Sequence, residues 1–354
     1  MESEGVRLIF RSDFVVEEER FPVPDPGPRQ VLVRISRSQV SAGSEMNFYR
    51  LNPVDGPLQR TPLGYMTVGR VERIGDGVTE FVPGDRVLTC GYHGSHWLVD
   101  LTDDGPDQAN GNYLERLPDG VSDDEAGFVV LGDVALHGVR RAALQIDESV
   151  VVFGCGIVGQ LTIQLARIAG AHPLVAVDLF DSRLELARLS GATDVVNAAN
   201  TDAVAAIKET TGGRGGESVF HCAPVAGVLQ TAMEAAAERG KVILTASAPG
   251  IAQIGLQVEL LRHELTILGV YEIGIDQPHG YWPWTRARNR RACLRLLASG
   301  QLRLDHLISH VVPPTEAEAI FRMMARGGDG WMGIVFAWEG VGGQGSGDVS
   351  RPDP

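Results

Sequence analysis

Three closely spaced glycines constrain the fold of this chain more than any other feature. Gly154, Gly156 and Gly159 directly follow the apolar run Val150–Phe153, and they precede residues 160–169, whose apolar side chains recur at helical intervals. The first glycine permits a tight strand-to-helix turn, the second lets a ligand approach the backbone, and the third lets helix and strand pack closely. The amides that begin the helix carry a partial positive charge. The pattern predicts a βα unit that binds the pyrophosphate of a dinucleotide.

An acidic residue closes the next strand. The apolar run Leu174-Val-Ala-Val177 ends at Asp178, about 20 residues after Gly159. A carboxylate there accepts hydrogen bonds from ribose hydroxyls and repels a 2′-phosphate, so NAD is favoured over NADP. Arg183, near the start of the next helix, could bind that phosphate, which keeps NADP as the alternative. The expected cofactor contacts are Gly154, Gly156, Ile157, Val158, Gly159, Asp178, Arg183 and, on the nicotinamide side, Cys222.

The order of strands and helices predicts two domains. The chain has 354 residues, and a single hydrophobic core stops growing at about 250–300 residues. Up to about residue 120, short alternating apolar runs between Pro and Gly indicate an antiparallel, β-rich domain. After the capping sequence Ser122-Asp-Asp-Glu125, wholly apolar strands alternate with helices, as is typical of an α/β domain with a parallel sheet. The expected segments are 1–130 (β-rich), 131–274 (nucleotide-binding), 275–338 (return to the β-rich domain) and 339–354 (disordered tail).

Composition and charge exclude several partners. The 31 basic and 45 acidic residues give a net charge of −14, which repels phosphate backbones and argues against nucleic acid. No apolar run approaches the roughly 18–20 residues that cross a bilayer, and the N-terminus does not resemble a signal peptide. A small-molecule substrate is the expected partner. Four widely separated cysteines are expected to be reduced thiols in a cytoplasmic protein: Cys90, Cys155, Cys222 and Cys293.

Two glycine-containing motifs in the β-rich domain carry a family resemblance. They are Gly64-Tyr-Met-Thr-Val-Gly69, which continues to Gly75-Asp-Gly-Val, and Pro83-Gly-Asp-Arg-Val. With the order of the domains, they resemble the alcohol and polyol dehydrogenases of the medium-chain dehydrogenase/reductase superfamily, over about residues 25–338. The resemblance implies a GroES-like catalytic domain, a Rossmann domain, a cleft between them, and a homodimer joined through the edge of the Rossmann sheet.

The same resemblance implies that the metal sites are lost. Zinc-dependent relatives bind the catalytic ion through a Cys, a His in Gly-His-Glu, and a Cys or Glu. Residues 43–45 (Gly-Ser-Glu) match the family's Gly-Ser/Thr-Asp segment and place Ala42 at the Cys position, while Tyr65 replaces the His and Val130 aligns near the third ligand. These side chains are not zinc ligands. The four-cysteine lobe of a structural zinc is also missing, so no zinc is expected.

Without a metal, protein groups must polarise the substrate oxygen and accept its proton. The resemblance puts Ser44 where relatives keep a hydroxyl that relays the proton, and it directs the Tyr65 phenol into the space of the metal. The alternative for Tyr65 is that it only fills that space. Glu45 and His93 are further candidate bases, ranked behind the two hydroxyls. His93 and His96 lack the third and fourth ligands of a metal site.

Candidate substrate contacts lie in two places. Asp133 is expected at the junction of the domains, where it could hold a substrate hydroxyl or bond to backbone. Tyr281, Trp282 and Trp284 belong to a proline-bounded loop that could stack on a sugar ring or form a subunit contact. The basic run from Arg286 to Arg295 is expected to be a solvated helix face.

The expected reaction is the NAD-dependent, zinc-independent interconversion of a secondary alcohol and a ketone. The substrate is expected to be a polyhydroxylated ring, such as a sugar, a cyclitol or another specialised metabolite; this rests only on the resemblance and the aromatic loop. Three alternatives stay open: an NADPH-dependent enoyl or quinone reductase, an epimerase or dehydratase that recycles bound NAD, and a redox-inert dinucleotide-binding protein. Asp178 argues against the first.

Overall fold

The computed structural model describes residues 3–101, 113–246, 248–271 and 282–340. The first part of the chain forms β1 (Glu4–Arg11), β2 (Val16–Pro22), β3 (Gln30–Gln39), α1 (Ala42–Leu51), β4 (Arg60–Pro62), β5 (Thr67–Ile74), β6 (Arg86–Thr89), β7 (His96–Asp100), β8 (Leu114–Arg116), α2 (Asp123–Ala126) and α3 (Val129–Ala142). The middle part forms β9 (Val150–Phe153), α4 (Ile157–Ile168), β10 (Leu174–Asp178), α5 (Asp181–Ser190), β11 (Asp194–Asn197), α6 (Ala203–Thr210), β12 (Gly216–His221), α7 (Val228–Glu234), β13 (Ala236–Leu244) and β14 (Thr266–Gly269). The last part forms α8 (Arg286–Ala298), β15 (Ile308–Val312), α9 (Ala317–Ala325) and β16 (Gly333–Ala337).

The β-rich domain contains two sheets. The larger has the strand order β15-β16-β3-β5-β6-β8, with β7 also paired to β3, and the smaller has the order β2-β1-β4. Strand β16 runs antiparallel to β3, with Val335 opposite Gln39. The last strand of the chain therefore completes a sheet that begins near the N-terminus. Phe10, Phe321 and Phe336 lie in the core of this domain.

The α/β domain is a parallel sheet with the strand order β11-β10-β9-β12-β13-β14. All four residues of β9 are buried, because helices cover both faces of the sheet. The sequence prediction of a Rossmann-type α/β fold beside a β-rich domain is thus confirmed. The chain direction across the sheet reverses between β9 and β12, and the carboxyl ends of the strands diverge there to leave a crevice.

The predicted helix start at Ser122 is confirmed. Its Oγ accepts a hydrogen bond from the backbone N of Glu125 at 3.2 Å and donates to Glu125 Oε2 at 2.8 Å. This first helix ends at Ala126, and α3 begins at Val129. A Cβ on Gly127 would lie 1.7 Å from Gln39 Oε1, so a larger residue here would displace the buried Gln39 side chain.

The prediction of a solvated basic face on α8 is confirmed for Arg288, Arg291 and Arg295 and is wrong for Arg286 and Arg290. The helix itself forms as expected, but Arg286 and Arg290 are buried. The Arg290 guanidinium lies 3.9 Å from the ring centroid of Tyr113, and Arg286 Nε lies 3.7 Å from Asp133 Oδ2. The aromatic face and the carboxylate stabilise these two buried cations, which helical periodicity alone predicts to be exposed to solvent.

All four cysteines are buried free thiols, as expected. Each helix in the described ranges is too short or too polar to span a bilayer. The structure describes the C-terminal tail only to Gly340, so the expectation of disorder at 339–354 lies mostly outside the described residues.

Candidate active site

A cleft of about 1570 Å³ lies between the two domains. One wall consists of the carboxyl ends of β9, β10, β12, β13 and β14 with the start of α4, and the other consists of α1, Tyr65 and α9. Helix α3 contributes a third side. Ligands of α/β sheets bind where the strand order reverses, outside the carboxyl ends of the strands. This cleft occupies that position.

The glycine turn fits a pyrophosphate. Gly154 has φ of +90°, which favours glycine, and a Cβ on Gly159 would lie 1.9 Å from the backbone O of Gly154. Gly156 is the N-cap of α4, and a Cβ there would meet open space. Phosphate oxygens can therefore approach the first amides of the helix closely. Gly154, Gly156, Ile157 and Val158 line the cleft.

Asp178 and Arg183 also line the cleft, at the end of β10 and on α5. Asp178 Oδ2 accepts a hydrogen bond from the Cys155 backbone N at 2.7 Å, and its Oδ1 accepts one from Leu179 N at 2.8 Å. The carboxylate thereby ties the glycine turn to the end of β10, and its remaining lone pairs can accept hydrogen bonds from a ligand. Arg183 stacks over Phe180 and donates to the backbone O of Gly328 at 3.2 Å.

The two thiols near the cofactor region are not reactive groups. Burial raises the pKa of Cys155 well above its usual value and raises the pKa of Cys222 to about 12. Cys222 lines the cleft, and its Sγ lies 3.8 Å from Thr162 Oγ1. Both side chains stay protonated at neutral pH and act as space-fillers next to the backbone.

Three hydroxyls meet on the catalytic wall of the cleft. The Tyr65 phenol donates to Ser41 Oγ at 2.5 Å, and the same phenol lies 3.3 Å from Ser44 Oγ. Ser41 is the N-cap of α1, and its side chain makes no capping bond, since it binds Tyr65. The structure thus brings the two highest-ranked candidates, Tyr65 and Ser44, together on the cleft. Ser41 was not predicted, although a serine before a helical segment is a recognisable N-cap signal.

Glu45 and His93 lie behind this wall. Both are buried, and neither is among the residues that line the cleft. Glu45 Oε1 accepts the backbone N of Ser41 at 2.7 Å, and Glu45 Oε2 lies 3.0 Å from His93 Nε2. This arrangement holds the first turn of α1, and with it the hydroxyl cluster, in place. Neither side chain contacts the cleft directly, so the prediction that one of them is a base stays a prediction.

A hydrogen-bond network fixes the orientation of His93. Ser38 Oγ accepts a hydrogen bond from Trp338 Nε1 at 2.9 Å and lies 2.7 Å from His93 Nδ1. Because the indole can only donate, the Ser38 hydrogen is available for Nδ1. We therefore assign the His93 proton to Nε2, where it points at Glu45.

The family resemblance places Ala42, Tyr65 and Val130 at the expected zinc-ligand positions. None of these side chains offers a nitrogen, sulfur or carboxylate donor, so they do not fit a Zn²⁺ ion. Within the ranges that the structure describes, no three His, Cys, Asp or Glu side chains are grouped as a metal site requires.

The candidate substrate contacts lie at different depths. Trp282 lines the cleft, whereas Trp284 packs between Arg140 and Arg288, whose guanidinium carbons lie 3.8 Å and 4.1 Å from its ring centroid. Asp133 is fully buried beside Arg286 and does not line the cleft, so it has no access to a substrate hydroxyl. Tyr281 lies outside the described residues.

One face of α3 supplies cleft residues that were not predicted. Leu131, Val134, His137 and Arg141 all line the cleft, and their spacing places them on one side of the helix. The His–Arg pair at an interval of four residues was visible in the sequence. Helical periodicity alone could not show that this side faces a ligand rather than the core.

A β-rich domain completed by the C-terminal strands, a Rossmann sheet, and a cleft between them define a medium-chain dehydrogenase/reductase. Residues 158–286 match the family model of the zinc-binding dehydrogenases. D-guloside 3-dehydrogenase of Escherichia coli (strain K12) is 31% identical over 301 residues, which cover 83% of each chain. Sorbitol dehydrogenase of Bacillus subtilis (strain 168) is 27% identical over 318 residues, which cover 83% of this chain and 86% of the relative.

The solved structures agree in fold. An oxidoreductase/dehydrogenase of unknown specificity from Escherichia coli superposes with a TM-score of 0.80 at 19% identity, covering 94% of this chain and 99% of the other. The chain belongs to the alcohol and polyol dehydrogenase group of the medium-chain superfamily, and it is an alcohol dehydrogenase-like oxidoreductase.

Proposed function

We propose that this protein is a zinc-independent, NAD-dependent oxidoreductase that interconverts a secondary alcohol and a ketone on a polyhydroxylated ring. The observation that carries the proposal is the cluster of Tyr65, Ser41 and Ser44, which lies on the cleft where relatives place a metal ligand. The relatives named for action on a guloside and on sorbitol support the substrate class.

The hydroxyl cluster can polarise the substrate oxygen and accept its proton, as is required in the absence of a metal ion. The Tyr65 phenol donates its hydrogen to Ser41, so the lone pairs of the phenol oxygen can accept the substrate hydroxyl. For proton transfer the phenol hydrogen turns from Ser41 to Ser44 Oγ, 3.3 Å away. The substrate proton then moves to the phenol oxygen as the phenol's own hydrogen moves to Ser44 and the Ser44 hydrogen moves to water, which Ser44 can reach because it is exposed; each hydroxyl stays neutral and one proton leaves. The partial positive charge at the start of α1 favours the negative charge that develops on the substrate oxygen. NAD, when bound, supplies the hydride acceptor.

NAD is proposed over NADP because Asp178 lies at the end of β10, where a carboxylate disfavours a 2′-phosphate. Arg183 is held by stacking on Phe180 and Trp331, an arrangement that also suits an adenine neighbour. The proposed cofactor contacts remain the glycine turn, Asp178, Arg183 and Cys222.

The test combines turnover with metal content. The purified protein is dialysed against a chelator, analysed for zinc, and incubated with NAD and a panel of polyols, cyclitols and methyl glycosides. We expect substoichiometric zinc and NADH release that the chelator does not reduce. Activity that is lost on chelation and restored by zinc would contradict zinc independence. Conversion of substrate without NADH release would favour an epimerase or dehydratase, and NADH binding without any conversion would favour a redox-inert protein.

We further propose a homodimer through the free edge of the Rossmann sheet. Strand β14 has one described neighbour, β13, and the nearby Leu256, Leu261 and Tyr271 are exposed. An uncovered edge strand beside apolar side chains is a pairing surface. Leu261→Glu should convert a dimer of twice the 38.0 kDa chain mass into monomers in sedimentation. Leu51→Glu, at an exposed leucine on α1, is the control and should stay dimeric; a wild-type monomer would refute the proposal.

A further inference from the structure

The cleft is lined by more basic than acidic side chains, and two of the basic ones, Arg50 and Arg141, lie away from Asp178 and the proposed ribose site. Of the described residues that line it, only Asp178 is acidic, whereas Arg50, Arg141 and Arg183 are basic. The chain as a whole has a net charge of −14, so this bias is local and not a reflection of composition. Arg183 lies beside Asp178 at the cofactor end, and Arg50 donates to Asn47 Oδ1 at 3.0 Å. Arg141 lies on α3, and it makes no ion pair with any described carboxylate.

Two nitrogens beside Arg141 are buried and lack partners. Within the described residues, neither His137 Nδ1 nor Trp282 Nε1 has a hydrogen-bond partner. The two rings make an edge-on contact with centroids 5.6 Å apart, and the Arg141 guanidinium lies 5.7 Å from the Trp282 ring. Buried polar groups without partners cost free energy, so such groups on a cleft wall indicate a ligand that supplies the missing acceptor.

The charge state of His137 suits the same ligand. Burial, with smaller effects from Arg141 and Arg140, lowers the pKa of His137 to about 4. The imidazole is therefore neutral at physiological pH, and it can present an N–H donor on one nitrogen. Arg141 lies four residues after His137 on α3, so the two side chains are neighbours on the face that lines the cleft.

We propose that Arg141, His137 and Trp282 form a subsite for an anionic substituent, a carboxylate or a phosphate, on the polyhydroxylated substrate. This inference rests on the proposed function, because it names the class of substrate that the same cleft takes. Guanidinium groups bind carboxylate and phosphate through paired N–H donors. The indole and imidazole N–H groups would complete the set of donors around the anion.

The experiment compares three substrates that share one ring. Methyl D-glucoside is neutral, methyl D-glucuronide carries a carboxylate, and methyl D-glucoside 6-phosphate carries a phosphate. For the wild type we expect kcat/KM to be about tenfold higher for at least one anionic substrate, as for a hydrogen bond to a charged group. Arg141→Met should bring that ratio close to one, mainly through KM, and Arg141→Lys should keep part of it. The anionic substrate whose advantage in kcat/KM is lost in Arg141→Met identifies the bound group as a carboxylate or a phosphate.

The control removes the same charge elsewhere. Arg295 is exposed on α8 and does not line the cleft, so Arg295→Met should leave the ratio as in the wild type. Between pH 7.5 and pH 9 the ratio should be constant, because both anions are fully ionised there and burial holds the pKa of His137 at about 4. If Arg141→Met instead raises the Kd of NADH and affects all three substrates equally, Arg141 binds the cofactor and the proposal is wrong. A wild type that prefers the neutral ring also overturns it.

Calorimetry separates this proposal from the proposed function. Methyl D-glucuronide and methyl D-glucoside 6-phosphate are titrated into the enzyme mixed with NADH, using wild type and Arg141→Met. Binding that the substitution weakens supports the subsite even if no ring is oxidised, in which case only the proposed function fails. Turnover of the neutral ring with no binding of either anion refutes the subsite and leaves the proposed function intact.

Discussion

Tyr65→Phe is expected to lower kcat by about 100- to 1000-fold, as for the loss of a proton-transfer group and an oxyanion donor. The ring of Tyr65 packs against the core that spans the two domains, so phenylalanine keeps the packing and removes only the hydroxyl that contacts Ser41 and Ser44. KM should change much less than kcat, since the hydroxyl acts mainly on the developing charge. Steady-state kinetics with the best substrate of the polyol panel measures both.

A matched control separates chemistry from folding. Tyr92→Phe removes a hydroxyl from a tyrosine that is 40% exposed and lies outside the cleft, and its kcat should match the wild type. Ser44→Ala should reduce kcat by about tenfold, and in combination with Tyr65→Phe it should add little, because the two hydroxyls act in one relay. If Tyr65→Phe keeps wild-type kcat with an unchanged melting temperature, Tyr65 only fills the space of the metal.

Asp178→Ser is expected to raise the Kd of NADH by about 100-fold and to leave the Kd of NADPH unchanged or lower. The carboxylate can bond to two ribose hydroxyls, each bond to a charged acceptor contributing about 1.5–3 kcal/mol, and its charge repels a 2′-phosphate. Both effects disappear with the charge. Fluorescence titration of the wild type and the variant with NADH and with NADPH measures the two affinities.

Asp178 also accepts the backbone amides of Cys155 and Leu179, so the melting temperature of Asp178→Ser must be recorded. A serine hydroxyl can accept one of these amides, which limits the loss of stability. Arg183→Ala is the companion variant, and it should change the affinity for NADPH more than that for NADH. A wild type that binds NADPH more tightly than NADH would refute the assignment of Asp178 and favour the reductase alternative.

The position of the glycine turn and of Asp178 on the cleft could be predicted because the signals are local in the sequence. A wholly buried strand, the glycines from Gly154 to Gly159 and the acid at Asp178 are close in sequence, and backbone geometry then places them at one crevice. The family resemblance predicted that Tyr65 and Ser44 lie close together, and the structure adds Ser41 as a second hydroxyl in contact with the Tyr65 phenol. The hydrogen bond between Tyr65 and Ser41 joins a loop to the start of α1. Hydrophobic periodicity does not predict such a contact between residues distant in the sequence.

The sequence could not show how deeply each candidate side chain would be buried. Glu45 and His93 lie behind the hydroxyl cluster and do not line the cleft, because Phe10 and Phe336, from strands distant in the sequence, pack on His93. Asp133 is buried for a similar reason, as are Arg286 and Arg290 of α8. Charged residues at helical intervals predict a solvated face only when no other element supplies a carboxylate or an aromatic ring.

The pairing of β16 with β3 makes the order of the hydroxyl cluster depend on a segment that follows the Rossmann sheet in the chain. Trp338, directly after β16, donates a hydrogen bond to Ser38, which orients His93 and through it Glu45 and the first turn of α1. During synthesis, the strands of the Rossmann sheet leave the ribosome before the segment that positions Ser41. The sheet and its glycine turn can therefore fold early, whereas the hydroxyl cluster becomes ordered only after β16 has been synthesised.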